Sequence, residues 1–363
     1  MALVLVIDSI TLIQRTILMK NINFKLQTQI SIIASVVSGM ISITMAIKGF
    51  GVWSLVAQRL IRQVLNSVFL WLWNRWRPIM VFSKKSFNEL FGFGSKLLVS
   101  GLIDTIYRNV YYLVIGKFFS AKELGYYTRA DQFQALPSQN LTGIIGRVSY
   151  PVLSSIQDDK PRLKSNYQML IRSTMFITFT LMLGMAAVAE PMIITFIGEK
   201  WRPSIIYLQM LCFVGMMYPL HALNLNMLQV QGRSDLLLKL EIIKKSMAVP
   251  VIIIGIFLGI KAMIAGMMVN TLIAYYLNSY WSGRMIGYSM QQQVKDILPS
   301  FVLAITMAVV VFLLGLFLPF TPLWKLIIQV SAGALFILIV SERTKFRDYE
   351  FVKGLLLEKV MKS

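Results

Sequence analysis

One cysteine, Cys212, and one histidine, His221, are too few for a disulfide, a Cys-X-X-Cys pair, a Cys/His zinc site or a histidine cluster. No metal centre, cofactor or His-based catalytic group is therefore expected. Phe91-Gly92-Phe93-Gly94 lacks the Gly-Lys-Ser/Thr of a phosphate loop, and Asp158-Asp159 beside Lys160 and Pro161 reads as a solvated pair. The residues left to carry chemistry are charges set inside apolar stretches. They are Arg59, Arg62, Lys96, Arg108 and Arg129, with Arg147, Arg172, Lys244 and Lys245 closer to stretch ends. Arg59 and Arg62 are three apart and share a helix face. Lys96, Asp104 and Arg108 recur at multiples of four, a polar stripe in which Asp104 can pair with Arg108, while Arg129, Asp131 and Asn140 polarise the next stretch. A charge at the bilayer centre costs about 2.5 to 3.5 kcal/mol, so such residues face a watery cavity or a partner. The cations would hold an anion, Arg best because its planar fork donates paired hydrogen bonds. Asp104 and Asp131 are the candidates for ion coupling. The competing reading is interhelical pairing and snorkelling, favoured for Arg147, Arg172, Lys244 and Lys245.

Helices must position these groups. Of 363 residues, 56% are hydrophobic and 14% charged, against about 45–50% and about 25% in soluble domains. The excess falls in blocks that predict about eleven spans, at 2–19, 29–47, 51–73, 90–118, 123–150, 167–189, 204–229, 240–258, 261–283, 297–318 and 323–341. The expected fold class is an all-α polytopic membrane protein. Asp8, Gln14 and Arg15 make the first span the weakest. Thirty-six Lys and Arg against sixteen Asp and Glu give +20, which in a membrane chain follows from the positive-inside bias rather than from nucleic-acid binding. Lys and Arg crowd alternate loops, which places the basic tail in the cytoplasm and Met1 outside, at the start of a helix entered midway. Pro137, Pro219 and Pro250 fall within spans and predict kinks. Gly255 and Gly259 form a small-xxx-small step for packing within the chain.

A faint repeat links residues 47–57 with residues 257–266, each an apolar span, a short turn at Gly and another apolar span. It predicts a two-lobed transporter fold with a truncated first lobe, lacking about three helices or roughly 115 residues. The expected divisions are a remnant of the N-terminal lobe at 1–73, a cytoplasmic linker at 74–89, a C-terminal lobe at 90–283, a terminal helix pair at 284–341 and a basic cytoplasmic tail at 342–363. Trp71, Trp73 and Trp76 belong to an interfacial belt.

Several segments carry a family resemblance: Met19 to Lys25, Gly49 to Val56, Val114 to Phe118, Leu124 to Ala130, Val148 to Ser154, Gly198 to Trp201 and Gln231 to Asp235. The chain resembles the polysaccharide and lipopolysaccharide exporters, flippases of lipid-linked oligosaccharides in the multidrug, oligosaccharidyl-lipid and polysaccharide superfamily. The resemblance implies about fourteen helices in two lobes plus a terminal pair, and this chain departs from it by lacking the first three. It implies transport without covalent chemistry across the bacterial cytoplasmic membrane, with a lipid-linked oligosaccharide as cargo and membrane lipid and polysaccharide assembly proteins as partners. On that reading Arg59, Arg62, Lys96, Arg108 and Arg129 form a cationic cavity for the diphosphate, and Tyr107, Tyr111 and Asn140 meet sugar hydroxyls. The alternatives are an ion-coupled multidrug antiporter of the same superfamily, a membrane-embedded polymerase or glycosyltransferase, and a non-functional flippase fragment. An excess of Arg and Lys in the interior favours an anionic cargo over the antiporter.

Overall fold

A computed structural model describes residues 2–21, 24–74 and 81–361, with the side chains of residues 2, 3, 5, 108 and 355–361 outside the description. The described residues form fourteen α-helices and one turn of 3-10 helix, with no strand among them. They divide into two compact units, Met1–Lys84 and Lys85–Ser363.

The first unit holds α1 (Ala2–Lys20), α2 (Phe24–Ile47) and α3 (Val52–Trp73), packed around Leu18, Ile30 and Leu70. The turn between α2 and α3 needs glycine, because Gly49 and Gly51 have φ of 84° and 49°, where a Cβ is strained. Ser42 ties the hairpin by donating to the Ser54 carbonyl at 3.0 Å. Asp8 is tolerated inside α1 because Gln63 of α3 donates to it at 2.8 Å and Arg15 lies 3.5 Å away. Trp76 and the middle of the expected linker lie outside the described residues.

The second unit runs through α4 (Lys84–Phe118), α5 (Ala121–Ser155), α6 (Lys160–Ala187), α7 (Ala189–Ile197) and the 3-10 turn (Glu199–Trp201). It continues through α8 (Ser204–Gly215), α9 (Tyr218–Val230), α10 (Ser234–Leu258) and α11 (Ile260–Ile286) to α12 (Met290–Phe317), α13 (Pro322–Arg343) and α14 (Arg347–Met361). Its core is centred on α5, α6, α8, α9 and α11, where Tyr167, Met175, Met182, Leu208, Leu211 and Met227 are completely buried. Helix starts are fixed by side chains that accept otherwise orphaned amides. Ser120 accepts from Glu123, Asp159 from Arg162, and Ser289 and Gln292 form a reciprocal capping box.

Each predicted span falls on a helix or a helix pair. Seven of them, α2, α4, α6, the α8–α9 pair, α11, α12 and α13, are apolar and long enough to cross a membrane by length and composition alone. The others are α1, α3, α5 and α10, and the embedded charges fall in both groups, with Lys96, Asp104 and Arg108 on α4 and Arg172 on α6. The expected span at 204–229 is divided at Met216 and Met217, and Pro219 stands in the first turn of α9, where its missing amide costs no hydrogen bond. Pro137 and Pro250 lie inside α5 and α10 as expected. The α10–α11 turn is a single residue, Gly259, with φ of 94°. Gly255 serves packing, since a Cβ there would run into the Met263 side chain of α11. Two short elements were not expected. They are α7 and the tail helix α14, which docks through an Arg172–Asp348 ion pair at 2.8 Å and a 2.9 Å hydrogen bond from Ser300 to the same buried carboxylate. Arg172 is thus an interhelical partner.

Candidate functional site

The second unit encloses a cavity of about 920 Å³ walled by α4, α5, α9, α10 and α11. On α4, Leu97, Ser100, Gly101, Asp104, Tyr107 and Tyr111 recur at three- and four-residue spacing and so present one face. Tyr127 and Asp131 come from α5, Tyr218 and His221 from α9, Glu241, Lys244 and Lys245 from α10, and Asn270 and Thr271 from α11. The volume lies at the upper end of the range of about 300 to 1,000 Å³ typical of small-molecule sites.

Charges in this wall meet one another. Lys245 Nζ on α10 reaches Asp104 on α4 at 2.8 Å and Glu241 at 3.6 Å, and lies 3.9 Å from the centre of the Tyr107 ring. Lys244 pairs with Glu241 one turn earlier on α10. Glu241 and Lys244 are both buried, so each ion depends on the other for solvation it has lost. On the facing helices the Tyr107 and Tyr111 hydroxyls are 2.5 Å apart and the Tyr112 hydroxyl donates to Asp131. His221 is held from both sides of its ring. Asn278 donates to Nδ1 at 3.2 Å, which leaves the proton on Nε2, 3.2 Å from the Thr271 hydroxyl. Together the wall offers phenol, amide and hydroxyl groups around a paired ionic cluster, a surface that can exchange hydrogen bonds with a hydroxyl-rich ligand and present two ammonium groups to an anion.

This is not the cationic cluster that spacing predicts. Asp104, Asp131, Tyr107 and Tyr111 line the cavity as expected. Arg59 and Arg62 are exposed on α3 of the first unit. Lys96 is exposed and outside the lining, because the eight residues to Asp104 turn about 80° around a helix and carry it off the cavity face. Arg108 is on α4 and its side chain, and with it the expected Asp104–Arg108 pair, lies outside the described residues; Asp104 engages Lys245. Arg129 is exposed near the start of α5, donating to Gln132 at 2.9 Å and lying 5.2 Å from the Trp201 ring centre. Asn140 is exposed and bonded to the Leu136 carbonyl. The expectation that Lys244 and Lys245 merely pair near a helix end is corrected in one respect: they do pair, but within the cavity wall. The signal for them was the Glu241-Lys244-Lys245 spacing, with a carboxylate three and four residues before two ammonium groups. Among the described lining residues, three carboxylates accompany two ammonium groups, so the cavity is not dominated by positive charge.

Residues 1–206 match the family described as "Polysaccharide biosynthesis protein". The chain is 29% identical over 248 residues to the lipopolysaccharide biosynthesis protein WzxC of Escherichia coli (strain K12), covering 67% of this chain and 50% of that protein. It is 26% identical over 222 residues to the teichuronic acid biosynthesis protein TuaB of Bacillus subtilis (strain 168), covering 60% of this chain and 46% of that one. The chain thus spans about half the length of these curated relatives. In fold it is similar to the lipid II flippase MurJ in an inward closed conformation, with a TM-score of 0.57 at 17% identity, over 89% of this chain and 67% of that structure. With more than half of its length matched to that family model, this multi-pass helical chain belongs to the polysaccharide biosynthesis protein family.

Proposed function

We propose that the chain takes part in moving a polyprenyl-diphosphate-linked oligosaccharide, a lipopolysaccharide, O-antigen or capsule repeat unit, across the bacterial cytoplasmic membrane. The observation that carries this reading is the cavity of the second unit, where tyrosine, asparagine and threonine groups surround the Lys244–Lys245 pair. Hydroxyl and amide groups suit a glycan, and ammonium groups released from Asp104 and Glu241 suit a diphosphate. The step is translocation by alternating access, with no bond made or broken and the polyprenyl tail left in lipid. Family membership and the flippase fold support it. On this reading the first unit belongs to an N-terminal lobe, residues 90–283 are the C-terminal lobe followed by a terminal helix pair, and the basic tail is cytoplasmic. Arg59 and Arg62 would offer cations on the first lobe itself, and polysaccharide assembly proteins would receive the product.

The test is the leaflet distribution of lipid-linked oligosaccharide in the native host with and without the gene. Accumulation on the cytoplasmic leaflet with loss of surface polymer is the expected result. Unchanged distribution and normal polymer would overturn the reading.

One observation favours a second reading, an ion-coupled multidrug antiporter: the carboxylates Asp104, Asp131 and Glu241 and several tyrosines line the same cavity, a lining that also suits an organic cation. Increased sensitivity to cationic drugs on deletion, with polymer unaffected, would select it.

A further inference from the structure

At the junction of α4 and α5, away from the cavity, cations are held by aromatic rings instead of by carboxylates. Trp201, the last residue of the 3-10 turn, rests over Gly125 of α5, where a Cβ would meet its ring at an ordinary contact distance of 3.6 Å. Tyr126 meets it edge-on at 6.0 Å between ring centres. The Arg129 guanidinium lies 5.2 Å and the Lys200 ammonium 5.7 Å from the centre of Trp201. The nearby carboxylates are engaged with other groups: Tyr207 donates to Glu123 at 2.6 Å, and Arg202 bonds both Glu190 and Glu199. A ring orients a cation without neutralising it. Arg129 and Lys200 are both exposed, so their charge is directed outward.

Directly below, the surface changes character. Phe133 follows Arg129 by four residues, about 6 Å along the axis of α5, and stacks on Phe196 of α7 at 6.4 Å between centres. Phe196 is 64% exposed, and Leu136, next along α5, is 62% exposed. A pair of un-neutralised cations thus stands one helical turn from an exposed apolar surface, beside the end of α4, a helix long and apolar enough to cross a membrane. Neither a free anion nor a sugar matches both halves.

We propose that Arg129, Lys200 and Trp201, with Phe133 and Phe196 below them, form a binding site for an anionic glycerophospholipid, the phosphate against the two cations and an acyl chain along the phenylalanines. The site is separate from the transport cavity and does not depend on what the cavity carries. The charge of the cations selects anionic over zwitterionic headgroups, and the apolar step selects lipid over soluble phosphate.

Native mass spectrometry of the full chain released from detergent tests this by titration with dioctanoyl phosphatidylglycerol, dioctanoyl phosphatidylcholine and glycerol phosphate. Phosphatidylglycerol is expected to bind about tenfold more tightly than phosphatidylcholine, with glycerol phosphate weaker still. Arg129→Gln with Lys200→Gln should remove most of that preference, and Phe133→Ala with Phe196→Ala should weaken phosphatidylglycerol towards glycerol phosphate. Lys200→Gln alone, a change on an exposed side chain, should lower phosphatidylglycerol binding severalfold even where the double variant fails to fold. Equal binding of the two lipids, undiminished binding by Lys200→Gln, or glycerol phosphate bound as tightly as lipid would each overturn the proposal.

Discussion

The cavity wall and the Trp201 cluster both place a cation against an aromatic ring, yet they treat its charge in opposite ways. In the cavity, Lys245 lies over Tyr107 and is also matched by Asp104 and Glu241. At the α4–α5 junction, Arg129 lies over Trp201 with a neutral glutamine as its side-chain hydrogen-bond acceptor. The difference follows burial. An ion taken out of water loses several kcal/mol of hydration and needs a counter-ion, whereas an exposed one keeps its hydration and needs the ring only for orientation. Burial therefore obliges Lys245 to keep a counter-ion, while exposure lets Arg129 do without one.

The strongest way to break this contrast is Glu241→Gln, which leaves two buried or half-buried ammonium groups with only Asp104 between them. We expect a loss of about 3 kcal/mol or more, read as a lowered thermal midpoint in detergent. An unchanged midpoint would mean the lysines are not buried ions. Next comes a double-mutant cycle on Asp104→Asn and Lys245→Met, with an expected coupling of about 1 kcal/mol, smaller because Asp104 keeps 34% of its side chain exposed. Additive effects would remove the tie between α4 and α10. Arg129→Gln should cost only about 0.5 to 1 kcal/mol, and a loss as large as that of Glu241→Gln would erase the distinction between the two regions.

The smallest effect concerns a solvent-facing pair. Arg233 bonds Asp235 through both carboxylate oxygens at 2.9 and 2.8 Å and holds its carboxyl down at about 2. A carboxyl with a lowered folded value stabilises above its unfolded value, about 3.9, and that contribution disappears as pH falls through about 2. Arg233→Gln should return Asp235 towards its ordinary value, followed by carboxyl NMR, with little change in thermal midpoint at neutral pH because the pair is exposed. A large change at neutral pH would show that exposed pairs here behave like buried ones.

Much of the fold was legible because apolar blocks of span length announce helices whatever surrounds them. The glycine turns at Gly49–Gly51 and Gly259 were legible for the same local reason. The break at Met216–Met217 was not, because a proline in the first turn of α9 looks in sequence like a kink inside one longer span. The site was legible only in part. Tyr107, Tyr111, Asp104 and Asp131 follow from the face of one helix and the polarity of the next. The Lys245 partner of Asp104 among the described residues did not, since it stands 141 residues away and only packing brings it to α4. Lys96 lies off the cavity face for a geometric reason, as four-residue spacing drifts around a helix that turns every 3.6 residues. Arg129 was expected in the cationic cavity, and its place beside Trp201 was not legible because that residue belongs to a turn that no periodicity predicts.

Gly259 joins α10 to α11 through a single residue, and Gly255 seats Met263 against the same junction. Two rods fused so closely at one end behave as the prongs of a tuning fork, unable to slide past each other without breaking the joint. Lys245 sits on one prong and Asn270 and Thr271 on the other. A ligand that engaged Lys245 together with Asn270 or Thr271 would therefore touch both prongs of one fork.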